Sequence, residues 1–517
     1  MEKIKILWAD DEIEHLKPHI IFLESKGYQV DTINNGAEAV EMIGQANYDI
    51  IFLDENMPGL TGLETLIEMK NLQPQLPVVM ITKSEEESIM EEAIGSKISD
   101  YLIKPVNPNQ ILLCLKKNLE NRKLISEKSS QTYQQEFRSI GTQLSVHLSS
   151  QEWIDIYKKL TYFEIELQHN EDEGITEILQ MQKNEANSVF AKYVMRNYRQ
   201  WVQGTSDDTP LLSHTLLRNK LFPLLKAQQP VYLLVIDNLR YDQWKALQPQ
   251  LSRYFRVEKD ELYYSILPTA TQYARNALFA GLLPSEIAKK YPAYWIDEHE
   301  EGTKNQFESE LLGEYLRRHG LQTKFAYHKV LNLQSGKKLA ETMNNYSDKQ
   351  LHVIVYNFVD MLSHARTEME VIKELADDEA AYRSITQSWF EHSPLHDIIK
   401  HVADRGARLI ITTDHGSVRC QYPVKILGDR NTNTNLRYKF GKNLNYDPDD
   451  VFEVRQPEQI FLPRINVSTS YVFCHGNDYF VYPNNYNHFA NLYKNTFQHG
   501  GISLEEMLVP VIDLNSR

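Results

Sequence analysis

Cysteine is scarce in this chain: Cys114, Cys420 and Cys474 lie far apart and form no CxxC pair. That spacing rules out a thiolate zinc knuckle and suits a reducing compartment, with the three thiols as small buried hydrophobes. Long apolar runs are missing too, so no segment has the length of a membrane span. "MEKIKILWADDE" reads as the start of a strand rather than as a signal peptide. A cytoplasmic protein with no membrane partner is therefore expected. Basic residues are outnumbered 55 to 70, a net charge of −15, which argues against a chain that coats nucleic acid. No helix-turn-helix pattern with a basic recognition helix is present, so direct reading of DNA is disfavoured as well. What the chain does have is core material: 517 residues at 42% apolar predict two or three domains.

Over residues 1–122, short apolar strands ("IKILWA", "DIIFLD", "PVVMIT", "DYLIKP") alternate with helical stretches, the pattern of a doubly wound parallel sheet. Asp10 and Asp11 follow the first strand, and Asp54, Thr82 and Lys104 close later ones. The carboxyl ends of such strands line one crevice, so these side chains should converge. Three carboxylates there repel one another unless a hard divalent cation such as Mg2+ sits among them. Residues 123–205 contain no proline and place Trp153, Ile156, Leu160, Phe163 and Leu167 on one helical face, which reads as a helical-bundle connector.

From residue 206 to 517 the α/β pattern returns. "PVYLLVID", "LHVIVYNFVD" and "RLIITTDHG" are apolar strands running into Asp237, Asp360 and Asp414, and His364 and His415 stand in step with the last two. One such aspartate is ordinarily a helix N-cap. Three of them with two histidines point to oxygen and imidazole ligands of catalytic zinc, or of manganese or another divalent ion. "LPTATQYARNALFAG" sets both Thr269 and Thr271 near a helix N-terminus, where a threonine is ordinarily an N-cap and alternatively a metal-activated nucleophile. Arg275, one turn on, could reach a phosphoryl oxygen, with Asn276 the weaker candidate. His499 precedes a Gly-Gly turn, and His475 is its rival. Between Arg419 and Lys442 six basic residues (Arg419, Lys425, Arg430, Arg437, Lys439, Lys442) face one acid, Asp429. This stretch is either a solvated loop or a guide for the phosphates of an oligonucleotide.

Two resemblances extend these readings. The Asp10/Asp11 pair, "DENMPGLTGLE", Thr82 and Lys104-Pro105 resemble the receiver domain of bacterial response regulators. This implies phosphorylation of Asp54 by a sensor histidine kinase, and Mg2+ held by Asp10, Asp11, Asp54 and the Asn56 carbonyl. It also implies that Lys104 pairs with the phosphate, that Thr82 and Tyr101 form the switch, and that the phosphorylated surface forms a homodimer. "VIDNLRYDQW", "PTATQYARNALFAG", "DMLSH", "TTDHGS" and "HGGISLEEMLVP" resemble the PglZ branch of the alkaline phosphatase superfamily. The implied ligands are Asp237, Thr271, Asp414 and His415 for one zinc and Asp360, His364 and His499 for the second, with Thr271 as nucleophile. The order receiver, connector, PglZ domain resembles PorX-type response regulators linked to type IX secretion. A zinc phosphodiesterase acting on nucleotides or oligonucleotides is expected; the alternative is a catalytically dispensable scaffold that binds a sigma factor.

Overall fold

In the computed structural model, which describes residues 4–73, 76–83, 98–168, 173–227, 229–346, 348–368, 378–429, 432–464 and 466–517, the apolar runs become two large sheets. Within those ranges the side chains of residues 116–117, 119–130, 173 and 364–368 are not described. The chain forms two units, Met1–Thr132 and Tyr133–Arg517.

In the first unit, β1 (Lys5–Ala9), β2 (Gln29–Ile33), β3 (Ile50–Asp54), β4 (Val78–Thr82) and β5 (Asp100–Ile103) form a parallel sheet of order β2-β1-β3-β4-β5. Every residue of β3 and β4 is buried, because separate apolar clusters cover the two faces of the sheet. The strand order reverses at β1, so the crevice opens at the carboxyl ends of β1 and β3. The helix Pro108–Leu144 begins in this unit and ends in the second, so the domain boundary expected at residue 122 falls inside a continuous helix.

The second unit is built on a six-stranded mixed sheet. It contains β6 (Val231–Ile236), β7 (Phe255–Tyr264), β8 (Phe325–Val330), β9 (Leu351–Tyr356), β10 (Arg408–Thr412) and a C-terminal strand, Leu508–Ser516. The order is β7, C-terminal strand, β10, β6, β9, β8, and β10, β6, β9 and β8 run parallel. The C-terminal strand is antiparallel to both of its neighbours. All residues of β6 and β9 are buried, as their unbroken apolar sequences require. The smaller sheets lie between His415 and His499 in sequence, and their base is the pairing of Val418–Arg419 with Phe497–Gln498.

The middle region is helical, with Ser150–Leu167 and Glu173–Gln203 following the long helix. Trp153, Ile156, Leu160, Phe163 and Leu167 are buried on one face as expected, and a Ser149/Glu152 capping box starts the helix. Its core is not separate, however. Phe190 and Trp201 pack their rings 6.1 and 5.5 Å from Tyr264, and Tyr157 packs 6.1 Å from Tyr241, so connector and sheet share one hydrophobic cluster. Among the described residues no helix is long and apolar enough to cross a membrane.

Candidate metal centres

At the crevice of the first sheet, Asp10 and Asp54 are buried and Asp11 is exposed, and one oxygen of each lies within 4.8 Å of the others. Lys104 bridges the two buried carboxylates, 2.9 Å from Asp10 and 2.6 Å from Asp54. Burial raises the Asp54 pKa and the neighbouring Asp10 adds to this, outweighing Lys104. For Lys104 burial acts downward, but its two carboxylate partners win and the net shift is up. Asn56 donates its backbone N–H to Asp54 (3.2 Å). Thr82 donates its hydroxyl to Glu55, and Tyr101 is partly exposed on β5. One lysine does not neutralise three carboxylates, so the donor set fits a small divalent cation.

The second centre sits where β6 and β10 end. Asp237 follows β6, and the chain leaves it through Asn238 at φ +64°, a left-handed turn that asparagine tolerates. Leu239 N–H donates to Thr413 Oγ1 (3.0 Å), which fixes this turn against the end of β10. Asp237, Asp414 and His415 are fully buried, and one ligand atom of each falls within 4.8 Å of the others. Thr271 opens its helix, Thr271–Ala280, but does not cap it; the N-cap is Ala270, which has no side-chain bond. The Thr271 hydroxyl instead stands 3.0 Å from His415 Nε2 and 3.5 Å from Asp237 Oδ1. Thr269 is no cap either. It donates to Gly501 O (2.8 Å) and accepts from Gly500 N–H (3.1 Å), joining the threonine loop to the His499 loop.

The histidine tautomers follow from their partners. His415 Nδ1 lies 3.1 Å from Gly416 O and His499 Nδ1 lies 3.1 Å from Thr269 O, and a carbonyl only accepts. Both rings therefore carry hydrogen on Nδ1, and in the neutral ring each Nε2 presents a lone pair. That of His415 faces Asp237 Oδ1 at 3.8 Å and Asp414 Oδ2 at 3.7 Å; that of His499 faces Asp360 Oδ1 at 3.7 Å. Acceptors that face acceptors fit a cation between them, and Asp414 Oδ2 is buried without a hydrogen-bond partner among the described residues. The two imidazoles stack at 4.1 Å, which sets the two ligand groups side by side. The side chain of His364 lies outside the described residues.

Arg275, expected to reach a phosphoryl oxygen, is 1% exposed. Its guanidinium lies 2.5 Å from Asp237, 2.5 Å from Glu308 and 3.8 Å from Asp414, a fixed counter-charge beneath the site. Burial alone would raise the Asp237 pKa, but Arg275 outweighs it and holds the carboxyl low. Asp414 is raised by burial and by the charge of Asp237. Asn276 donates to Lys304 O (3.1 Å). His475 pairs with Asp478 (3.2 Å) rather than with the cluster.

The basic stretch is neither a wholly solvated loop nor an open phosphate guide. Arg437 is fully buried and forks onto Glu506 through Nε (3.1 Å) and Nη2 (2.6 Å). Lys439 is buried as well and donates to Asn433 O (2.8 Å). Lys425 and Lys442 are exposed, Arg419 is half-buried, and Arg430 lies outside the described residues. Glu308 and Glu506 drew no attention in the sequence because each meets its arginine only across the fold: Glu308 is 33 residues from Arg275 and Glu506 is 69 from Arg437.

A receiver-like crevice and a buried Asp/His/Thr centre at the end of a mixed sheet define a regulatory protein with a hydrolase-like output domain. Residues 216–514 match the family described as the BREX system PglZ alkaline phosphatase-like domain, residues 123–202 the PorX response regulator linker domain, and residues 6–116 the response regulator receiver domain. The chain belongs to the PglZ family, in the PorX-type arrangement of receiver, linker and PglZ domain. Transcriptional regulatory protein ZraR of Klebsiella oxytoca is 32% identical over 140 residues, 27% of this chain and 32% of that protein. ResD of Bacillus subtilis (strain 168) is 34% identical over 112 residues, 22% and 46% of the two chains. The chain thus spans less than half the length of these curated relatives. Among solved structures, a CheY-like receiver protein from Methanospirillum hungatei JF-1 is 25% identical with a TM-score of 0.23, covering 23% of this chain and 96% of that one. Chemotaxis protein CheY4 of Vibrio cholerae is 29% identical, with a TM-score of 0.22 and coverage of 23% and 100%.

Proposed function

We propose that the protein is a two-component response regulator, phosphorylated on Asp54 by a sensor histidine kinase, whose PglZ domain is a zinc-dependent phosphodiesterase. Nucleotides or oligonucleotides are its substrates, and type IX secretion is the process it serves. One observation carries the enzymatic reading: a threonine hydroxyl 3.0 Å from a histidine nitrogen and 3.5 Å from a buried carboxylate, with a second carboxylate in the same cluster. Asp237, Asp414, His415 and Thr271 would hold one zinc, and Asp360, His499 and His364 the other. Zinc bound there supplies the Lewis acidity that makes a threonine hydroxyl nucleophilic at neutral pH and neutralises the leaving oxygen.

The chain's own groups do the rest. His415 Nε2 and Asp237 Oδ1 converge on the Thr271 oxygen at 3.0 and 3.5 Å and so aim it. As its proton passes to solvent, that oxygen attacks phosphorus, the P–O bond to the leaving group breaks and the departing oxygen takes up a proton to leave as an alcohol; water then cleaves the phosphothreonine, releasing the phosphate monoester and restoring the hydroxyl. Arg275 serves as counter-charge, compensating the buried Asp237 and Asp414. In the receiver, Asp10, Asp11 and the Asn56 carbonyl would hold Mg2+ beside Asp54, and Lys104 would release its carboxylates to meet the phosphoryl group.

Hydrolysis of a chromogenic phosphodiester by the full chain tests the reading. Chelation should abolish turnover and added zinc should restore it, whereas turnover that survives metal removal would contradict it.

A further inference from the structure

The helix Glu173–Gln203 carries Lys183, Asn187, Phe190, Val194 and Tyr198 along one buried stripe. Two of its polar groups reach the loops of the metal centre. Tyr198 accepts the N–H of Leu267 (2.7 Å), two residues before Thr269, which joins the threonine and His499 loops. Asn187 uses both ends of its amide: Oδ1 accepts the N–H of Leu504 (2.7 Å), and Nδ2 donates to Glu505 (3.0 Å), beside which Lys183 lies at 3.6 Å.

The turn gripped by Asn187 is a junction. The backbone carbonyl of Glu506 accepts the N–H of Gly416, next to His415, and its carboxylate accepts the N–H of Gly501 (2.9 Å), two residues past His499. There is no slack in this packing: a Cβ on Gly416 would meet Glu505 O at 2.0 Å, and a Cβ on Gly500 would meet the Tyr438 ring at 2.5 Å. A shift of residues 504–506 therefore moves the backbone beside both histidines. On its other side the helix meets the one that begins in the receiver, because Gln182 accepts from Tyr133 (3.2 Å) and donates to Phe137 O (2.9 Å).

We infer that Asn187 and Tyr198 of the connector are positioning residues for the metal centre, so that the linker is a working part of the hydrolase rather than a tether. The inference rests on the hydrolase reading of the PglZ domain. It also implies that whatever moves the helix Glu173–Gln203 retunes His415 and His499 together.

An exchange of charge tests it. Asn187→Asp keeps the acceptor for Leu504 N–H but sets a second carboxylate against Glu505; adding Glu505→Gln restores a carboxylate–amide pair with the roles reversed. In the zinc-loaded full chain, Asn187→Asp should lower kcat by about 10- to 100-fold with KM changed less than about threefold. The paired variant should return to within about threefold of the parent. Hydrogen exchange of the peptide spanning residues 499–506 should quicken in the single variant and recover in the pair. Tyr198→Phe should likewise lower kcat, and it decides the matter if Asn187→Asp does not fold. A single variant at parental rate and exchange, or a pair no better than the single, would overturn the inference. A parent without turnover whose exchange still follows this pattern would instead indict the hydrolase reading.

Discussion

Thr271 begins its helix with its hydroxyl turned to His415 and Asp237 instead of capping it, and the free N-cap position is filled by an alanine that contributes nothing. A helix start built for stability would carry a capping side chain, worth about 0.5–2 kcal/mol. Arg275 shows the complementary case. It occupies the core only because three carboxylates surround it, and Arg275→Met would leave Asp237 buried without that cation, while Glu308 would keep Lys329 at 3.1 Å. The expected cost is about 3–5 kcal/mol, read as a lower thermal midpoint of the metal-free chain. A variant as stable as the parent would contradict the counter-charge role. His499→Ala should lower zinc content by about one per chain and abolish hydrolysis, since each ion needs the other's site. His475→Ala should retain both, and full zinc in His499→Ala would move the ligand elsewhere.

At the level of elements, the strands were legible because each apolar run ends in a polar or charged residue. Burial on both faces leaves β6, β9 and β10 predominantly apolar, so the aspartates behind them stand out. The helical face of the connector was legible for the same reason of period. What covers it was not, since the stripe of Phe190 and Trp201 carries no mark that Tyr264, from another element, is its partner. Arg437 and Lys439 failed in the reading for a related cause. Counting charges between residues 419 and 442 does not reveal that Glu506 waits for Arg437 across the fold. Lys439 makes the correction testable. Burial lowers its pKa to about 8 from an ordinary 10.5. A depressed lysine costs stability while it is charged, so the cost is full below about pH 8 and is relieved as pH rises towards 10.5. The stability of the parent should therefore climb through that window relative to Lys439→Met, with the difference greatest at neutral pH and vanishing above it. An unchanged difference from pH 7 to 10.5 would show that the ammonium is solvated after all.

At the scale of the whole chain, two crevices of the same chemical kind, carboxylates at the ends of parallel strands, are given different tasks. The receiver's carries an exposed acid, Asp11, and a lysine bridging its two buried carboxylates; the other sets a buried aspartate pair over the buried counter-charge of Arg275. Phosphorylation of Asp54 should alter the surface that bears Thr82 and Tyr101 and bring two chains together. Light scattering at micromolar protein should show the mass doubling with beryllofluoride and Mg2+, and an unchanged mass would count against a dimer switch. Every step of the proposed hydrolysis depends on Thr271 acting as a nucleophile within a metal centre. Its most direct test is the rate of chromogenic phosphodiester hydrolysis by Thr271→Val at matched zinc content. A fall of about a thousandfold or more is predicted; a rate within about tenfold of the parent would contradict the account.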